Sequence, residues 1–132
     1  MKYFTIEELT RSATARRLGI NNTPPASAVA ALHELVDKVL DPLREAWDGP
    51  IRVNSGYRCP KLNRAVGGTP SSQHLRGEAA DITVGTRSGN RRLLALIKRL
   101  DLPVDQCIDE KGCCWIHVSH RKDRNRRLYM KF

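Results

Sequence analysis

Apolar residues recur at intervals of three and four between Ser27 and Trp47, at Val29, Leu32, Val36, Val39, Leu43 and Trp47. That spacing predicts a long amphipathic helix. Pro42 lies inside it, so either the helix kinks there or a new one starts with Pro42 in its first turn. Upstream, Thr5 with Glu8 three residues later has the capping-box pattern, and Leu9, Ala13 and Ala15 give a short helix its inner face. Gly19 ends that helix, and residues 21–25 form a proline-stiffened turn. Beyond Trp47 the period changes. Residues 51–54 and 79–84 read as strands, and 61–66 as one or two helical turns. Residues 90–100 read as a basic helix with Leu93, Leu94, Ile97 and Leu100 inward. Residues 104–108 and 115–119 alternate like the arms of a hairpin, and 128–132 form a last strand. Helices followed by a small, mainly antiparallel sheet make an α+β fold.

Length and composition narrow the class. The chain has 132 residues, 40% of them hydrophobic, which favours one domain over 1–132 with one modest core. No run approaches 18 apolar residues, so no membrane span is expected. The N-terminus lacks the apolar stretch and cleavage pattern of a secretory signal. The expectation is cytoplasmic synthesis, with any action outside the cell following lysis or a separate release route. Four cysteines, Cys59, Cys107, Cys113 and Cys114, are too few for a disulfide scaffold and match no zinc knuckle; Cys113 and Cys114 read as unpaired thiols.

The chemistry concentrates in Ser72-Gln73-His74-Leu75-Arg76-Gly77-Glu78-Ala79-Ala80-Asp81 and in Trp115-Ile116-His117. A catalytic zinc takes three N, O or S ligands and keeps one position open. His74, Asp81 and His117 supply such a set. Gly77 lets the loop between His74 and the strand turn tightly. Spacing alone leaves the alternative open that both histidines are hydrogen-bonded packing residues and Asp81 a strand-end carboxylate, because no HExxH helix is present.

These motifs resemble the zinc D-alanyl-D-alanine carboxypeptidase family, whose sheet is shared with vancomycin-resistance dipeptidases and the Hedgehog signalling domain. The family pattern is Ser-x-His-x-x-Gly-x-Ala-x-Asp followed by Trp-x-His; Ser72, His74, Gly77, Ala79, Asp81, Trp115 and His117 fit it. The chain looks most like the short phage and mobile-element forms. The likeness includes Phe4 to Leu9, Leu18 to Pro24, Val53 to Arg58 and Asn63 to Gly68. It implies one Zn2+ held by His74, Asp81 and His117, and hydrolysis of peptidoglycan peptides by metal-activated water, as in an endolysin. It also implies that Arg58 stabilises charge on the carbonyl oxygen or holds a substrate carboxylate. Ser72 and Gln73 are candidate substrate-backbone contacts, Tyr57 and Trp115 candidate cleft walls, and Ser119 and Asp105 candidate supports for the ligands.

The general base is the point of departure. In much of the family an acid precedes the last histidine by three residues, and here that residue is Cys114. The short forms share Val104-Asp105-Gln106-x-Ile108-x-Glu110, which makes Glu110 the preferred base. If residues 111–114 form a four-residue turn, Glu110 lies opposite Trp115 and shares a sheet face with His117, roughly 7–8 Å away on the diagonal. A two-residue turn moves it a residue pair further off, and a solvated hairpin-tip charge is the plain alternative. Asp109 points to the other face in either register.

The net charge is +9, and the last twelve residues carry six bases against one acid. That admits a second class, a basic nucleic-acid-binding module without turnover. A catalytically silent metal-binding relative is a third. No recognition helix, zinc finger or aromatic platform supports nucleic-acid binding, and a polyanionic cell wall accounts for basic charge equally well. The expected partner is therefore a peptidoglycan peptide met by a monomer, with no nucleic acid.

Overall fold

The sheet's two faces are set by strict alternation along its three central strands. The computed structural model describes residues 1–132. β2 (Ala79–Thr83), β3 (Gln106–Glu110) and β4 (Trp115–Ser119) send Ala80, Ile82, Cys107, Ile116 and Val118 into the hydrophobic core. Their alternate residues face a cleft, as a period of two requires. β1 (Arg52–Ser55) and β5 (Leu128–Lys131) complete the order β1-β2-β4-β3-β5. All pairings are antiparallel except β3 with β5, which is parallel. The α+β expectation holds.

The core face is covered by helices. α3 (Ala26–Leu35) runs through a π-helical turn (Val36–Leu40) into α4 (Asp41–Trp47), and the run buries Leu32, Leu35, Val36, Val39, Leu40 and Leu43. The π turn sits directly before Pro42. Proline has no N–H to return to the carbonyl four residues back, and the wider turn absorbs the mismatch. Pro42 thus lies in the first turn of a new α-helical segment in an otherwise continuous rod. After β1 comes the short α5 (Pro60–Ala65), and α6 (Arg87–Arg99) packs on the core side with α3 and α4. It starts three residues earlier than its apolar pattern indicates, because Thr86 accepts from the Gly89 amide as its cap. Its inner face is Leu93, Leu96 and Ile97, while Leu100 at the end is exposed.

The first helix of the sequence reading is two. α1 (Ile6–Thr10), capped by Thr5, ends at Arg11, and Ser12 caps α2 (Ala13–Leu18), which Gly19 closes in the left-handed region. The break lets the Leu9 carbonyl accept from the Tyr57 amide, with Gly56 packed against it. A Cβ on Gly56 would lie 2.1 Å from that carbonyl oxygen, so only glycine admits the approach.

The C-terminal strand is tied down by one buried acid. Asp105 accepts from Arg126 N, Nε and Nη2 at 3.1, 2.9 and 2.9 Å, just before β5 begins. The bonds from Arg126 hold its carboxyl below the usual carboxylate range, against the burial that would raise it. A depressed folded-state pKa gives stability that is present above the unfolded value, about 3.9, and lost as pH falls through the folded value. Asp105→Asn is expected to cost about 1–3 kcal/mol at neutral pH. The gap between the two melting temperatures should close on acidification below about pH 4. Equal melting temperatures at pH 7 would show that this carboxylate does not anchor β5.

Candidate metal centre

One row of paired residues crosses the sheet on its cleft face. Asp81 is the cross-strand partner of His117, and His117 is the partner of Ile108. Directly opposite side chains on one face are near neighbours. Asp81 Oδ1 therefore lies 2.9 Å from His117 Nδ1. His74 reaches the same point from a different element. It belongs to a 3-10 turn (Gln73–Arg76) that Ser72 caps by accepting from the His74 amide, and Gly77 closes the turn at φ +74°. His74 Nε2 lies 3.4 Å from Asp81 Oδ2, and the two imidazole rings are 5.1 Å apart.

The donor set suits zinc. One atom from each of His74, Asp81 and His117 lies within 4.8 Å of the others. Two imidazole nitrogens and one carboxylate oxygen are the ligand number and type of a catalytic zinc. His74 is prepared for this role, because its Nδ1–H donates to the Gly56 carbonyl at 2.6 Å. That bond fixes the tautomer and leaves the Nε2 lone pair for the centre. At His117 the nitrogen facing Asp81 is Nδ1, so ligation there requires that nitrogen to be free of its proton. Burial pushes the Asp81 carboxyl up, but the hydrogen bonds from His117 and His74 and their charge outweigh it. The net pKa is well below the usual carboxylate range.

The cleft above these residues measures about 730 Å³. Arg58, Ser72, Gln73, Glu110 and Trp115 line it with the three candidate ligands. Arg58 is fixed by Ser55 Oγ at 3.0 Å, Asn63 Oδ1 at 3.3 Å and Asp81 Oδ2 at 3.5 Å. Burial lowers its pKa and Asp81 opposes that; an arginine so placed stays charged. Glu110 stands opposite Trp115, in the register of the four-residue turn, with the Cys114 amide closing onto the Glu110 carbonyl at 3.0 Å. Asp109 is occupied on the other face, where it accepts from the Cys113 amide at 2.6 Å. Cys114 lies outside the cleft lining, with its sulfur 3.4 Å from Arg87 Nη2.

Three expectations are corrected. Tyr57 does not wall the cleft. It is buried in the core, because its amide and carbonyl are clamped by Leu9 and Asn22 and turn the ring inward. Ser119 does not support a ligand; its hydroxyl accepts from the Gln106 amide. Asp105 bonds Arg126 instead. Sequence reasoning missed the true support of His74, the Gly56 carbonyl, because a backbone acceptor leaves no residue-type signal. It also missed Asn63, which holds Arg58 and donates to the Thr69 carbonyl at 2.9 Å.

The sequence model of the family described as peptidase M15 matches residues 2–119, a span that contains all three candidate ligands. The chain belongs to the peptidase M15 family. Among curated proteins, the zinc D-Ala-D-Ala carboxypeptidase of Streptomyces albus G is 43% identical to this M15 chain over 49 residues. That segment is 36% of the present chain and 19% of the Streptomyces protein, so the M15 chain spans about a fifth of that relative's length. No helix of this M15 protein is long and apolar enough to cross a membrane.

Proposed function

We propose that residues 1–132 form one catalytic domain of a zinc metallopeptidase that hydrolyses peptidoglycan stem or cross-link peptides, by carboxypeptidase or endopeptidase cleavage. The observation that carries this reading is the convergence of His74, Asp81 and His117 at one point in a cleft that also presents Arg58 and Glu110. His74, Asp81 and His117 would hold the zinc. When bound, zinc polarises the scissile carbonyl and acidifies water.

The chain's own groups supply the rest. Glu110 takes a proton from the attacking water onto its carboxylate as the water oxygen bonds to the carbonyl carbon. It returns that proton to the amide nitrogen as the C–N bond breaks, leaving a carboxylic acid and an amine; the second water proton then passes from the acid to the amine, and the products leave as carboxylate and ammonium. Arg58, held by Ser55, Asn63 and Asp81, meets the negative charge that grows on the carbonyl oxygen or binds a substrate carboxylate. Trp115, half-buried with Lys111 Nζ 5.6 Å from its ring centre, forms one wall of the cleft. Ser72 is committed to capping the turn that carries His74, and Gln73, buried beside it, also lines the cleft. Action at the cell wall, after lysis or release by another route as for an endolysin, accords with this chemistry and with the +9 charge.

Digestion of purified peptidoglycan with zinc-loaded protein, followed by mass analysis of the fragments, tests the reading. The expected result is release of peptide products that name the bond cut and that disappear when a chelator removes the metal. Zinc-loaded, folded protein that leaves every wall peptide intact would refute it.

A further inference from the structure

Four arginines line the cleft: Arg58, Arg76, Arg121 and Arg126. Two are balanced one for one, Arg58 by Asp81 at 3.5 Å and Arg76 by Glu78 at 2.9 Å. The other two converge on a single carboxylate. Arg126 gives Asp105 two side-chain hydrogen bonds of 2.9 Å, and Arg121 Nε lies 3.6 Å from Asp105 Oδ2. Asp105 is completely buried, whereas the Arg121 and Arg126 side chains are 38% and 46% exposed. Two guanidinium charges on one carboxylate leave a surplus positive charge at the cleft surface.

The position of this pair is set by the strands. Arg126 stands two residues before Leu128, the partner of Gln106 in β3. Gln106 stands two residues before Ile108, the partner of His117. At about 3.3 Å per residue the pair's backbone lies roughly 13 Å along the strands from the metal row, or about four residues of extended peptide. Each guanidinium carries five N–H donors in a fixed fork, and Asp105 occupies only part of them. Because Asp105 already holds the pair, an anion docking there orders little further side chain. Both arginines lie beyond residue 119, where the match to the family ends.

Resting on the peptidase reading, we propose that Arg121 and Arg126, braced on Asp105, form a carboxylate seat that selects peptides bearing a free acid group remote from the bond cut. The substrate class is an acidic stem peptide, as opposed to its carboxamide form. A nucleic acid fits less well, because a polyanion running along the cleft would meet the Glu110 carboxylate on the way.

The test uses two synthetic stem peptides that differ only in carrying free side-branch carboxylates or carboxamides. Binding is read by calorimetry on zinc-loaded protein in a Glu110→Gln background, and kcat/KM with Glu110 intact. The carboxylate peptide should bind about tenfold tighter, the scale of one charge-assisted contact. In Arg121→Gln, a change at a part-exposed side chain, the preference should shrink to within about twofold while carboxamide binding stays the same. Equal binding of both peptides, a preference that Arg121→Gln leaves intact, or displacement of the peptide by a short DNA duplex would each overturn the seat. If neither peptide is cut but the preference stands, the seat is upheld and the peptidase reading falls. If both are cut with equal kcat/KM, the seat falls and the peptidase reading stands.

Discussion

His117→Ala is expected to lose its zinc and all measurable hydrolysis while keeping its fold. The imidazole is half-buried at the cleft floor, and the neighbours that fill the core, Ile116 and Val118, point the other way. Its removal leaves Asp81 with Arg58 Nη2 at 3.5 Å and His74 Nε2 at 3.4 Å, so no buried charge is stranded. A site built on three protein ligands has no spare donor. The loss should therefore exceed the roughly 10–100-fold drop in affinity typical of removing a group that only orients a ligand. Metal content after dialysis against a weak chelator, read beside the circular dichroism spectrum, gives the answer. A folded His117→Ala protein that retains one zinc per chain as tightly as the parent would disprove the assignment of all three ligands. Asp81→Ala should lose the metal too, but with a stability cost, since it strips Arg58 of its carboxylate partner.

Glu110→Gln should separate metal binding from turnover. The substitution keeps the size and the position opposite Trp115 but removes the group that accepts a proton. Zinc stoichiometry should stay at one, and kcat should fall by about 10²–10⁴, the usual contribution of a positioned general base. Two controls sharpen the result. Cys114→Ala should leave the rate unchanged, because that sulfur faces Arg87 outside the cleft. Asp109→Asn should affect stability before rate, because Asp109 closes the hairpin turn through the Cys113 amide. A fully active Glu110→Gln enzyme would remove Glu110 from the reaction.

Each residue of the candidate site was legible to a different degree. The strand alternation around His117 could be read directly, since apolar Ile116 and Val118 on either side leave only one face for the imidazole. The position of Glu110 was legible only conditionally. Its distance from His117 hung on the length of the turn, and that was settled by left-handed backbone at Lys111, Gly112 and Cys113, with φ of 51°, 67° and 63°. Only one of these three is glycine, so composition gave no clear sign of it. Tyr57 misled because an aromatic residue beside a candidate cleft arginine looks the same whether its ring faces solvent or core. The buried thiols carry the same lesson. Burial pushes Cys107 up to about 12, an inert core group that no spacing rule could distinguish from a reactive one.

By itself the amino-acid sequence determined the order of helices and strands, the α+β class, and the residue types able to hold a metal, because periodicity and side-chain chemistry are local properties. Tertiary structure alone decided that Asp81 lies opposite His117 and that the Gly56 carbonyl, in the loop after β1, orients His74. It also decided that Asp105 gathers two arginines at the far end of the cleft. Those relations join residues 16 to 36 positions apart. They depend on strand register and loop packing, which are fixed only when the whole core closes.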